Sequence, residues 1–114
     1  MVKIKISKTP REFKVGEKNK IKIKEIGFLY LKNNEQITIV NENKKKYDFV
    51  KKNWGYYATP SVNGRLKHEG FKTALVKNKF QKYYIMVVDK KKIKKFKDYC
   101  KTENQKVIEW LDEK

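Results

Sequence analysis

Cysteine is almost missing from this chain: Cys100 is the single thiol in 114 residues. That excludes an intramolecular disulfide and a multi-cysteine zinc site, and a free thiol suits a reducing compartment. Glycine is sparse as well. Gly16, Gly27, Gly55, Gly64 and Gly70 stand apart, so no glycine-rich loop is available to cradle a phosphate. The only histidine, His68, has Glu69 beside it and no other ligand type nearby, too few donors for a metal. Cys100 falls on an apolar helical face with Phe96, the setting of an inert packed thiol and not of a nucleophile. The carboxylates gather in turns and near the C-terminal end, without the pairing that proton transfer needs. The expectation is a non-enzymatic protein with no catalytic residue, no metal and no cofactor.

Long apolar stretches are lacking too. No run approaches the roughly 18 residues of a membrane-spanning helix. The opening Met-Val-Lys-Ile-Lys-Ile alternates and lacks the apolar block of a signal peptide. A cytoplasmic protein without membrane insertion is expected. The apolar fraction of 39% and aromatic fraction of 13% suffice for a core in a chain of this length, so one domain spanning residues 1–114 is predicted.

Acidic residues are few, and arginine is fewer still. Against 13 Asp and Glu stand 30 Lys and Arg, a net charge of +17, and only Arg11 and Arg65 among them are arginine. Richness in Asn, Ile, Tyr and Lys suggests an AT-rich genome, which favours lysine over arginine but does not remove Asp and Glu. The imbalance therefore carries meaning of its own. Such a surface attracts polyanions, and nucleic acid is the first partner class to consider.

Alternation of Val2, Ile4 and Ile6 with lysines predicts a strand, followed by a polar connection over Thr9–Asn19. A second strand runs from Ile21 to about Leu31, its phase broken near Gly27 by a bulge or bend. Lys32–Glu35 is predicted as a hairpin turn into a return strand Gln36–Val40, with another short strand at Tyr47–Val50, together an antiparallel meander. Trp54–Thr59 is a further strand. Thr59 as N-cap and Pro60 at the first helical position predict a helix that Gly70 stops. Phe71–Lys77 and Lys82–Val88 form a hairpin around Asn78–Gln81. Asp89 then caps a second helix with Ile93, Phe96, Tyr99 and Cys100 on one face, and Gln105–Leu111 closes the fold as a strand. The predicted class is α+β: a mostly antiparallel sheet with two helices packed on one face.

The charge is uneven along the chain. Residues 1–24 carry net +7, residues 77–101 net +8, and the last 13 residues net −2. Lys90, Lys91, Lys92, Lys94, Lys95 and Lys97 crowd the first turns of the second helix, where the helix dipole disfavours cations by a few tenths of a kcal/mol each. Stability alone would not select that arrangement. A polyanion docked there gains from the lysines and from unpaired backbone N–H groups. In the N-terminal strands, Lys3 and Lys5, and separately Lys20, Lys22 and Lys24, share strand faces; paired strands would place five lysines on one side.

Residues 54–68 have the most unusual composition, joining Trp54, Tyr56 and Tyr57 to Arg65, Lys67 and His68. A guanidinium among so many ammonium groups points to planar, bidentate hydrogen bonding, and aromatics beside basic residues can stack on unpaired bases. Packing of the segment into the core, with Arg65 held by an acid, is the plainer alternative. The order Trp54-Gly55-Tyr56-Tyr57-Ala58-Thr59-Pro60-Ser61-Val62-Asn63-Gly64-Arg65-Leu66, followed by Gly70–Val76 and Ile108–Asp112, resembles a group of small uncharacterised bacterial proteins. The resemblance covers about residues 20–112. It implies a single bacterial domain and carries no activity or mechanism over to this chain.

Two alternative functions are expected, the first of them leading. The first is binding of DNA or RNA through phosphates with little sequence specificity, with the six lysines of residues 90–97 as the main patch and Arg65, Lys67 and Trp54 as a secondary contact. The second is an accessory or protein-interaction module that takes an acidic protein or a small anionic ligand through residues 54–68.

Overall fold

A computed structural model describes residues 3–114. Among the described residues, eight strands, two α-helices and short 3-10 turns make an α+β protein in which every strand pairing is antiparallel. The strands form three small sheets, ordered β1-β2, β3-β4-β5 and β7-β6-β8, where one sheet was predicted. The chain divides into two units, residues 1–59 and 60–114. Among the described residues no helix is long and apolar enough to cross a membrane.

In the first unit, β1 (Lys3–Val15) and β2 (Ile21–Tyr30) make a two-stranded ribbon. The predicted polar connection from Thr9 is therefore strand as far as Val15. Pro10, which cannot donate to a ladder, sits where the register slips between Ile6 and Arg11. The irregularity thus lies on β1, opposite Ile26, and not at Gly27. Gly27 instead permits a close approach of the two strands, since a Cβ there would collide with the carbonyl of Lys5. Register separates side chains by face within each half of the ribbon. Ile4 and Leu29 oppose one another, as do Phe13 and Ile23, while Lys14 opposes Lys22. The five expected N-terminal lysines split accordingly: Lys3 and Lys5 oppose Tyr30 and Phe28 at one end, Lys22 and Lys24 lie near the other, and Lys20 precedes the strand.

β2 does not pair with β3, so the predicted meander is broken at Lys32–Glu35. β3 (Gln36–Val40), β4 (Lys46–Lys52) and β5 (Gly55–Ala58) form their own sheet. The physical reason is that β1 already occupies β2, while the turn bonds across to β4: Asn34 N–H donates to the Lys51 carbonyl (2.7 Å) and Lys51 N–H to the Glu35 carbonyl (3.1 Å). Thr59 likewise belongs to this sheet and caps no helix. Its hydroxyl donates to the Asp48 carboxylate and its N–H to the Asp48 carbonyl (3.0 Å).

The second unit is built on β6 (Phe71–Lys77), the central strand between β7 (Tyr83–Asp89) and β8 (Lys106–Trp110). Phe71, Thr73, Ala74 and Val76 of β6 are buried, with Leu66, Val88 and Cys100 completing the core. The β6–β7 hairpin turns as predicted. Asn78 Oδ1 accepts from the N–H groups of Phe80 (2.9 Å) and Lys82 (3.0 Å), and Gln81 takes φ 64°. Asn41 organises the β3–β4 turn in the same way, accepting from Asn43 and Lys45 N–H groups (both 3.0 Å) with Lys44 at φ 63°. These are Asx-type turns, in which the amide side chain replaces a backbone acceptor.

Helix α1 is a single turn, Arg65–His68, where Thr59 and Pro60 predicted an earlier start. Ser61 organises it instead: its Oγ accepts from Arg65 N–H (3.1 Å) and its carbonyl from Leu66 N–H (3.1 Å). Leu66 pins the turn to β6. Gly70, at φ 94°, ends it as predicted, a conformation that a Cβ would strain. Helix α2 (Ile93–Thr102) packs on β7 and β8 through Ile93, Phe96 and Cys100, and Phe96 meets Trp110 edge to face at 5.8 Å. Burial raises the Cys100 thiol pKa, in keeping with a packed, unreactive role.

Asp112 closes this unit. It is 2% exposed, in the terminal 3-10 turn Leu111–Glu113. Its Oδ1 accepts from the Thr73 N–H and its Oδ2 from Lys72 Nζ, both at 2.9 Å, while its carbonyl accepts from Lys67 Nζ at 2.9 Å. Burial alone would raise its pKa, but Lys72 and the Thr73 N–H outweigh burial and hold it below the ordinary carboxylate value. The acidic C-terminal segment is therefore spent internally: Glu113 also takes Lys72 (3.1 Å), and Glu109 takes Lys114.

Candidate nucleic-acid interface

The lysines of residues 90–97 enter the structure in two pieces. Lys90–Lys92 form a 3-10 turn capped by Asp89, whose Oδ1 accepts from Lys91 N–H at 3.0 Å. Asp89 thus caps this turn and not α2, the helix it was predicted to cap: α2 starts after Lys92 with no side-chain cap, because Asp89 spends its carboxylate on the Lys91 N–H. Lys90 N–H donates to the Gly70 carbonyl (2.9 Å). Two of the backbone N–H groups expected to be open to an anion are thereby occupied. What remains available is the side chains. All six lysines are exposed, and none makes an ion pair with a described residue.

The helix distributes them unequally. Successive residues turn by about 100°, so with Ile93, Phe96 and Cys100 facing the sheet, Lys94, Lys97 and Lys101 fall on one flank. Lys95 and Tyr99 fall on the other. On that second flank α2 and β7 enclose an open groove of about 410 Å³. Its floor is apolar, from Met86, Val88 and Phe96, and Lys92, Lys95 and Tyr99 stand along it, with the carboxylate of Asp89, which accepts from Lys91 N–H, also in the lining. Desolvation, then the neighbouring Glu103, push the Tyr99 phenol pKa up, with smaller contributions from other neighbours including Tyr84 of β7. Tyr99, 37% exposed, lines the groove at the far end from Lys92, and Tyr84 of β7, 45% exposed, lies outside the lining.

The other predicted site residues are placed differently. Arg65 pairs with Glu69 (3.4 Å, one turn apart), the intramolecular pairing that the packing alternative foresaw. Lys67 is clamped to the Asp112 carbonyl. Both hold structural partners before any ligand arrives. Trp54 belongs to the first unit, at the β4–β5 turn, where it is 67% exposed and stacks on Tyr57 (5.9 Å between centroids, 12° between planes). The 54–68 stretch thus runs across the boundary between the units. The structure brings together Lys92 and Lys95 with Phe96 and Tyr99, and Arg65 with Lys67 on one short turn. Tyr99 and Met86 were missed as site residues. The signal was there for the helix: residues 92, 95, 96 and 99 follow i, i+3, i+4, i+7 spacing, which defines one helical face.

Because Arg65 is tied to an exposed Glu69, Arg65→Lys is expected to leave polyanion affinity within twofold. It should shift stability by no more than about 0.5 kcal/mol, the scale of an exposed helical pair. Anisotropy titration and a melting curve on the one variant check both. A tenfold loss of affinity with an unchanged melting curve would restore Arg65 to the site.

Comparison of the chain with protein-family models, with curated proteins and with solved structures finds no match. Among the described residues, no cluster of His, Cys, Asp and Glu could hold a metal ion.

Proposed function

We propose that this protein binds nucleic acid through phosphate contacts, with the exposed lysines of residues 90–97 as its principal surface. The observation that carries the reading is the contrast in pairing within one unit. Residues 60–114 hold 15 basic and 7 acidic side chains, net +8. Lys72, Lys114 and Arg65 take up the carboxylates of Asp112, Glu113, Glu109 and Glu69. Lys90, Lys91 and Lys92 in the 3-10 turn before α2, and Lys94, Lys95 and Lys97 in its first turns, make no ion pair with a described residue, and cations near the positive end of α2 slightly oppose helix stability. Cations concentrated on one short stretch of chain, at a cost to the start of α2, are what a polyanion would complement. Point-charge ammonium groups contact phosphates without reading base identity, so sequence specificity is low. Reducing surroundings suit the free thiol and are consistent with a cytoplasmic setting.

The test replaces Lys91, Lys92 and Lys95 with Gln. Affinity for nucleic acid at 50 mM salt should fall about tenfold or more, since each lost phosphate contact removes one released counterion. Thermal stability should hold or rise slightly as cations leave the helix start. Undiminished affinity would reject this surface, and a large drop in melting temperature would show that the three lysines hold structural partners.

A further inference from the structure

We infer that the groove between α2 and β7 receives an unpaired base, so that the ligand is single-stranded nucleic acid. The inference rests on the phosphate-binding reading above and narrows it.

A lysine surface alone does not distinguish a duplex from a strand, because both present phosphates. The groove beside these lysines does. Its floor of Met86, Val88 and Phe96 offers nothing to a phosphate and little to the sugar–phosphate rim of a duplex. A base detached from its stack, by contrast, presents a flat apolar face, and every base has one. Lys92 and Lys95 stand on the same flank as Tyr99, spaced over about 10 Å of helix at 1.5 Å per residue. That length allows one or two nucleotides: phosphates near the lysines and a base against Tyr99. Burial, then the neighbouring Glu103, raise the Tyr99 phenol pKa, so the ring itself stays neutral against a base.

Charge complementarity selects this occupant over the others an apolar groove might take. A second copy would bring another +17 against the same lysines. An acidic peptide would satisfy the lysines, but it fills the Tyr99 end only where it happens to carry an aromatic residue, whereas a nucleic-acid strand carries a flat face at every nucleotide. A strand of nucleic acid satisfies both at once.

The experiment uses the whole chain and three fluorescently labelled probes at 50 mM salt: an oligothymidylate of about twelve nucleotides, within the usual range of single-strand sites, an abasic strand of equal length, and a duplex of that length. The wild type should bind the oligothymidylate about tenfold more tightly than the abasic strand, the scale of one stacked base, and more tightly than the duplex. Tyr99→Ala and Tyr99→Leu should both bring the oligothymidylate down to the abasic affinity while leaving the abasic affinity unchanged. The unchanged abasic binding identifies a folded variant, and the Leu variant removes the ring while keeping apolar bulk. Equal wild-type affinity for the two strands would overturn the groove assignment and leave phosphate binding standing. Displacement of the oligothymidylate by polyglutamate at equal charge concentration would likewise overturn it, in favour of an acidic peptide. Absence of binding to all three probes would overturn the phosphate reading itself.

Discussion

Replacing Asp112 with Ala should lower the stability of residues 60–114 by about 3 kcal/mol, the low end for breaking a buried ion pair. In a unit of this size that corresponds to a fall in melting temperature of roughly 12 to 24 °C. The carboxylate is the junction of two chain segments 39 residues apart, taking the Thr73 N–H with one oxygen and Lys72 with the other. Its removal strands a buried backbone donor, a penalty of about 1–3 kcal/mol by itself. Lys72 keeps partial access to water and retains Glu113, so its loss is softened. Asp112→Asn, which retains an acceptor for Thr73, should cost less. The pH dependence follows from the signs. The Asp112 pKa is depressed in the fold, so its stabilisation is present above the ordinary carboxylate value and is lost as pH falls through the lower, folded value. The Lys72 pKa is raised, first by its hydrogen bond to Asp112, so that contribution holds below the ordinary lysine value and is lost as pH rises through the higher, folded one. Stability from this pair should therefore be flat through neutral pH and decline at both extremes. A melting temperature within 2 °C of wild type for Asp112→Ala would contradict this account of the closing turn.

The second large effect concerns salt. If six lysines meet phosphates, affinity should fall about 1,000-fold on a duplex between 50 and 200 mM salt, and about 300-fold on a single strand, whose condensed counterions are fewer. The slope of log affinity against log salt should be about −5 and −4 respectively. Titrations flat over this range would mean that something other than phosphate contact holds the ligand.

Local chemistry was legible in the sequence; long-range pairing was not. The Asn78 turn and the Gly70 stop each rest on a side chain or backbone acting within a few residues, and each stands where it was expected; Asp89 also caps locally, but it caps the 3-10 turn before α2 and not the helix. Thr59–Pro60 has the composition of a helix start, yet Thr59 spends its hydroxyl and N–H on Asp48, eleven residues earlier, and no local pattern reveals that. Lys32–Glu35 has the composition of a hairpin turn, but whether β3 returns on β2 depends on which strand already pairs with β2. Its partner β1 runs through Pro10, which made that stretch read as a connection. The six lysines were visible from charge alone. Their division between two flanks of α2 was implicit in helical spacing, whereas the groove exists only because α2 lies against β7. Asp112 and Lys72, 40 residues apart, left no trace beyond the acidic end of the chain.

The most direct measurement of the central claim is the salt slope for single-stranded binding by wild type and by the Lys91, Lys92 and Lys95 to Gln variant, side by side. Three phosphate contacts removed should make the slope shallower by about 2. A variant that binds with the wild-type slope would contradict the claim, because the lysines of residues 90–97 would then release no counterions and the phosphates would be held elsewhere.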